Sequence, residues 1–181
     1  NPTQELISLF VPGDTRKEVT VGVPGGFYDA DSVFHALPTS TNQTYTKKYF
    51  DSSPVRADSK ANWKVIRYAD VLLMYAEALN ENGKPQQAIP FLNQVRTRAG
   101  LEGYPNTMSQ TETRDAIVLE RRLELSFEGV RWFDLVRTGK AYEVMKDKGM
   151  APYMTVFPIP LSQVQIINDP TIFRSEERRV G

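Results

Sequence analysis

A mostly α-helical fold is what this sequence predicts, and three observations carry it. From Ile66 onward the apolar residues recur on a helical period. Asn82-Gly83 followed by Pro85 divides the first of these stretches from the next at the spacing of a helical hairpin. Before residue 66, turn clusters leave room only for short extended runs. The expected architecture is a helical hairpin plus further helices, joined to a loop-rich N-terminal part with few short strands.

Composition narrows the function classes. With 181 residues, 40% of them hydrophobic, the chain can fill one ordinary core. Lysine plus arginine equals aspartate plus glutamate at 22 each, so no overall field draws the chain to nucleic acid or to an anionic membrane surface. The absence of cysteine excludes disulfides, thiolate metal sites and a cysteine nucleophile, and the single His35 excludes a multi-histidine metal site built by this chain alone. The longest apolar run, Val71 to Ala76, is far short of the ~20 residues that a membrane span needs. The start at Asn1 carries no signal-peptide pattern, and the sequence reads as a piece of something longer.

Residues 1–66 hold turn clusters at Pro12-Gly13-Asp14, Pro24-Gly25-Gly26 and Asp51-Ser52-Ser53-Pro54, with Glu18 to Val23 as a short extended run between them. Flat aromatic faces beside planar polar side chains suit ligand recognition. Within this chain that mixture occurs in residues 24–63, where Tyr28, Tyr45, Tyr49 and Trp63 stand near Asn42, Gln43 and Asn62. Those aromatics are the candidate ligand-binding residues. Their alternative role is to anchor the loops in a core, and His35 reads as a loop residue.

Residues 67–150 form the helical section. Tyr68, Val71, Leu72, Tyr75, Ala76 and Leu79 lie on one predicted face, Gly83 caps the helix, and Pro85 opens a second with Ala88, Leu92, Val95 and Ala99 inward. Small Ala76 and Ala88 with Gly83 and Leu92 keep the spacing of one tetratricopeptide-type repeat, which cannot bury its face alone. A third helix is expected from about Arg114, with Ile117, Leu119, Leu123 and Phe127 inward and a bend at Gly129. A shorter one from Arg131 packs Trp132, Phe133, Leu135 and Val136, and stops near Thr138-Gly139. In residues 151–173, Val156 to Pro160 reads as extended and is followed by a short helical turn.

The run Glu120 to Arg137, ERRLELSFEGVRWFDLVR, sets Glu120, Glu124, Glu128 and Asp134 among Arg121, Arg122, Arg131 and Arg137. On a helix, Glu120, Glu124 and Glu128 would share one face, where like charges repel. They could serve as acid and base or hold a metal pair, but a metal pair needs Glu-x-x-His, and the segment has no histidine. A catalytic pair needs one carboxylate left unpaired with a raised pKa. Because Arg67, Arg96, Arg98, Arg121, Arg122 and Arg131 lie on neighbouring helical segments, interhelical pairing is the expected arrangement, with Arg67 and Asp70 pairing or capping locally. The expected structural charge network is Arg67, Asp70, Arg96, Glu120, Arg122, Glu124, Glu128, Arg131 and Asp134, with no catalytic residue, metal or cofactor.

Four ordered blocks, RYADVLLMYAEALNENG (67–83), AIPFLNQVRTRAGL (88–101), ERRLELSFEGVRWFDLVRTG (120–139) and FPIPLSQVQIINDP (157–170), resemble the C-terminal part of the SusD/RagB family over residues 60–173. The resemblance implies a helical fold built on tetratricopeptide-like hairpins with a loop-rich ligand side. It also implies a surface-exposed outer-membrane lipoprotein that binds oligosaccharides or other nutrients without chemistry and serves a SusC-like TonB-dependent transporter. Contact with the membrane would run only through a lipid anchor absent from this fragment, and the binding aromatics of the family lie mostly upstream of these blocks. Residues 1–173 then form the C-terminal part of one such domain. The closing RSEERRVG, residues 174–181, departs from the family and is expected to be a non-native tail. The residues alone leave two alternatives, a tetratricopeptide-type protein-interaction adaptor and a carboxylate-dependent glycan hydrolase.

Overall fold

The structure, a computed structural model, describes residues 1–22, 25–28, 33–36, 44–49, 62–156 and 159–167. It divides into two compact units, Asn1–Arg131 and Trp132–Gly181.

The first unit opens with α1 (Gln4–Leu9), capped where Thr3 Oγ1 accepts the Leu6 N–H at 3.2 Å. A second helix, α2 (Arg16–Thr20), occupies part of the run that the sequence predicts to be extended, and the chain straightens only at Val21. The cause is local: Asp14 Oδ1 accepts the Arg16 N–H at 3.0 Å, which satisfies a helix-start donor and turns the chain. Among the described residues four short strands follow, β1 (Val21–Gly22), β2 (Gly26–Tyr28), β3 (Phe34–Ala36) and β4 (Tyr45–Thr46). They pair antiparallel as β1 with β4 and β2 with β3, so His35 stands in a strand opposite Phe27 and not in a loop.

The hairpin is formed by α3 (Tyr68–Glu81) and α4 (Pro85–Arg98), turning at Gly83, whose φ of 73° favours glycine. Helix α5 (Gln110–Glu124) packs across it, and Leu73, Ala76, Ala88, Leu92, Val95 and Ile117 form the shared core. Small residues occupy the closest approach, so α3 presents Ala69, Leu72, Leu73 and Ala76 inward. Tyr68, Val71 and Tyr75, expected on that face, are exposed, and the Tyr75 ring meets Phe91 edge-on at 4.7 Å. Their bulk does not fit where the two helices come together. A smaller cluster joins Phe10 and Val21 to Leu123.

Helix α5 begins earlier than Arg114, at a capping box in which Ser109 Oγ accepts the Glu112 N–H and Glu112 accepts the Ser109 N–H at 2.8 Å. It also ends earlier. Phe127, expected on its inward face, lies beyond the helix in the left-handed region at φ 63° and is half-buried.

In the second unit, α6 (Arg131–Arg137), whose first residue closes the preceding unit, leads to α7 (Ala141–Met145), two 3-10 turns and α8 (Leu161–Ile167). Leu135 and Ala141 are buried, whereas Phe133, expected to pack inward, is exposed. Residues 174–181 lie outside the described residues. Among those described, no helix is long and apolar enough to cross a membrane.

A candidate ligand-binding cleft

Two of the three glutamates lie on α5, one turn apart, and the third does not. Because α5 ends at Glu124, Glu128 reaches the same region from the turn that Phe127 makes in the left-handed conformation. The sequence spacing suggested one helical face; the structure builds the group from a helix and a turn. Each glutamate is met by cations from other elements. Glu120 is fully buried and accepts from Arg16 Nη1 at 2.6 Å and from Arg96 Nη1 at 2.7 Å, with the Tyr104 hydroxyl at 3.2 Å. Glu124 Oε1 accepts from Arg67 Nη1 at 2.8 Å and from Arg98 Nη2. Glu128 accepts from Arg67 Nε at 2.7 Å and from Lys48 Nζ, whose other hydrogen bond goes to the Glu124 carbonyl.

Arg67 thus spends its fork on Glu124 and Glu128. Of the two local roles expected of Arg67 and Asp70, capping is met, since Arg67 is the N-cap of α3 and its carbonyl accepts the Asp70 N–H at 2.9 Å. The ion pair is not formed: Asp70 accepts from Arg121 Nη1 at 2.8 Å instead. The reason is directional, since Arg67 is the N-cap of α3 with extended backbone, which points its side chain away from the helix that carries Asp70. Arg122 leaves the group altogether and meets exposed Glu5 at 2.9 Å. Asp134 pairs with Arg137 at 2.7 Å within α6, and Arg131 heads that helix half-buried.

These environments set the protonation states. Burial pushes Glu124 up, but the hydrogen bonds from Arg98 and Arg67 outweigh it and hold its carboxyl below the usual range. Burial disfavours the charges on Arg16 and Arg67, yet their carboxylate partners more than offset it and raise both. Burial also pushes the Tyr104 hydroxyl up to about 12, with the Glu120 charge adding to the shift. Lys48 goes the other way, lowered by burial against the attraction of Glu128.

Beside this group lies a cleft of about 750 Å³. Its described lining comes from α2 and its cap (Thr15, Arg16, Val19, Thr20), from Lys48, Tyr49, Asn62, Lys64 and Arg67, and from Arg98, Ala99, Glu124 and Glu128. Thr15 holds α2 in place by donating its N–H to the Ala99 carbonyl at 3.1 Å and its hydroxyl to the same oxygen at 3.2 Å.

The four candidate aromatics separate here. Tyr49 lines the cleft and stacks on Trp63 with centroids 4.8 Å apart and planes 19° from parallel, while Trp63 remains 58% exposed. Gly129 lies under the far edge of the indole, where an added Cβ would sit 3.6 Å from Trp63. Tyr45 is not among the cleft residues: its ring fills the space over Gly22, so that a Cβ there would come within 2.0 Å. Tyr28 belongs to β2, its side chain lying outside the described residues, as do Asn42 and Gln43.

Sequence reasoning missed Asp14, Arg16, Thr20, Lys48 and Lys64. Asp14-Thr15-Arg16 is a readable local pair, but nothing in the spacing announces that Arg16 will meet Glu120, 104 residues on.

Comparison with known proteins places these observations in a family. Residues 3–176 match the model of the SusD family. A SusD-like protein P38 of Formosa agariphila is 37% identical over 141 residues, which is 74% of this chain and 25% of the relative. Among solved structures, a laminarin-binding SusD-like protein is 34% identical with a TM-score of 0.64, covering 90% of this chain and 35% of its own. The surface glycan-binding protein A from Bacteroides uniformis is 26% identical with a TM-score of 0.68, covering 97% of this chain and 40% of its own. The chain spans about a quarter of the length of the curated relative quoted.

Proposed function

Since the chain belongs to the SusD family, we propose that it binds oligosaccharides without turning them over, as part of an outer-membrane lipoprotein that passes them to a TonB-dependent transporter. The observation that carries this reading is the family match over residues 3–176, with relatives described as laminarin-binding and glycan-binding. The cleft supplies matching chemistry. Sugar C–H groups pack on flat aromatic faces, which the Tyr49–Trp63 stack offers at the margin, and hydroxyls need the polar side chains that line the interior. Glu124 does not suit the part of a protonated general acid. A glycosidase keeps one carboxylic acid protonated near neutral pH, whereas Glu124 is held below the ordinary range by two arginines.

Calorimetric titration of the full chain with laminari-oligosaccharides and other oligosaccharides, alongside chromatography of the mixtures, tests this. Saturable binding without new reducing ends is expected, and Trp63→Ala should weaken it about tenfold, a loss of ~1.4 kcal/mol. Turnover abolished by Glu124→Gln would establish a hydrolase instead. Capture of a protein partner with no saccharide affinity would establish an adaptor. Co-purification with a TonB-dependent transporter checks the delivery step.

A further inference from the structure

The hydrogen-bonding capacity left open in the cleft is not evenly split between neutral donors and acceptors. Five of its described lining side chains are cationic: Arg16, Lys48, Lys64, Arg67 and Arg98. Among the described lining residues, Glu124 and Glu128 are the carboxylates that oppose them. Counting the partners behind the wall adds Asp14 and Glu120 as acids and Arg96 as a base, which leaves six cations against four carboxylates. Among the described residues two positive charges are therefore in excess, and two cations keep donors open. Lys64 is exposed and makes no hydrogen bond or ion pair among the described residues. Arg98 is 57% exposed along its side chain and gives only Nη2 to Glu124, keeping Nε and Nη1 available.

Two buried acceptors in the same cleft are also open. Thr20 is fully buried, and its Oγ1 has no partner. Glu124, 4% exposed, uses Oε1 twice, while Oε2 has no hydrogen bond and lies 3.8 Å from Arg16 Nη1. Buried polar groups of this kind are ordinarily satisfied, so an unpartnered pair lining one cleft marks a position for a ligand's own donors.

We propose that the cleft takes an acidic saccharide, one bearing carboxylate or sulfate groups, with its anionic group held by Lys64 and Arg98 and its hydroxyls donating to Glu124 Oε2 and Thr20. This rests on the saccharide-binding reading above and narrows it to a charge class. A neutral glucan would use the buried acceptors but leave the two cations facing water. A simple anion would satisfy the cations but be repelled by Glu124. An acidic sugar meets both sets at once.

The test is a titration of the full chain with three probes of equal length: an oligogalacturonide, a sulfated galactan oligosaccharide and a laminari-oligosaccharide. The acidic probes should bind at least tenfold more tightly than the neutral one, weaken steeply as salt is raised, and lose about tenfold in Lys64→Gln. Lys64 is exposed and unpaired, so that variant should keep the wild-type circular dichroism and melting temperature. Whichever acidic probe binds more tightly assigns the anionic group as carboxylate or sulfate. Equal or tighter binding of the laminari-oligosaccharide, unaffected by salt and by Lys64→Gln, would overturn the acidic assignment while leaving saccharide binding intact. No binding of any probe would overturn both.

Discussion

Glu124 accepts from Arg67 and Arg98 through one oxygen, and Arg67 in turn bridges to Glu128, so a change at Glu124 is felt by several charges. Glu124→Ala strands half-buried Arg67 and should cost about 3–5 kcal/mol, read as a lower midpoint in urea unfolding. The pH dependence has a definite sign. Because the folded carboxyl is held below its unfolded value, its contribution is present above about pH 4.3 and disappears as pH falls through the lower folded value. Urea midpoints measured from pH 6 down to pH 3, with Glu124→Gln as reference, should therefore converge only in acid. At this scale the sequence showed that three close glutamates needed arginine partners, since uncompensated charge at that spacing is unfavourable. Which arginines they would be was not readable. Arg67 could have turned to Asp70, three residues away, but its extended backbone as the cap of α3 directs it to α5 and the turn beyond.

The elements themselves were legible wherever punctuation was strong. Asn82, Gly83 and Pro85 mark the α3–α4 turn by chemistry that has few other uses, and the small residues Ala76 and Ala88 mark the helix contact. Ser109 and Glu112 carried the true start of α5, a reciprocal capping box hidden in a polar connector. Ser109→Ala should cost about 1 kcal/mol, visible as a drop in melting temperature. Short elements were less readable because tertiary contacts hold them: α2 is pinned by Asp14 and by the Thr15 bonds to Ala99, none of which shows in a periodicity. At the β1–β4 pair, the approach of Tyr45 to Gly22 leaves no room for a methyl group. Gly22→Ala should destabilise by about 1–3 kcal/mol in denaturant unfolding, through displacement of that ring.

On the scale of the molecule, α3 carries apolar side chains on two sides. One side builds the core, and the other leaves Tyr68, Val71, Met74 and Tyr75 in solvent. Contiguous exposure of that kind favours association. A preparation limited to these 181 residues should therefore self-associate in light scattering and bind a hydrophobic dye, and Val71→Glu together with Tyr75→Glu should suppress both. The family was legible in the sequence because the helical blocks that carry it also carry the core and the charge group. The cleft was not, because its walls are contributed by residues that the chain separates widely. Arg16 meets Glu120 across 104 positions and Lys48 meets Glu128 across 80, whereas α3 and α4 adjoin. That separation imposes an order in time. Local helix contacts form within microseconds to milliseconds, while distant pairs wait for the entropy of closing a long loop to be overcome. During synthesis Arg16 emerges well before its carboxylate exists. In refolding, far-ultraviolet helicity should rise ahead of the Trp63 fluorescence change followed in a Trp132→Phe background, and Arg16→Gln should speed unfolding far more than it slows folding. On this order the hairpin assembles first, and the cleft closes last.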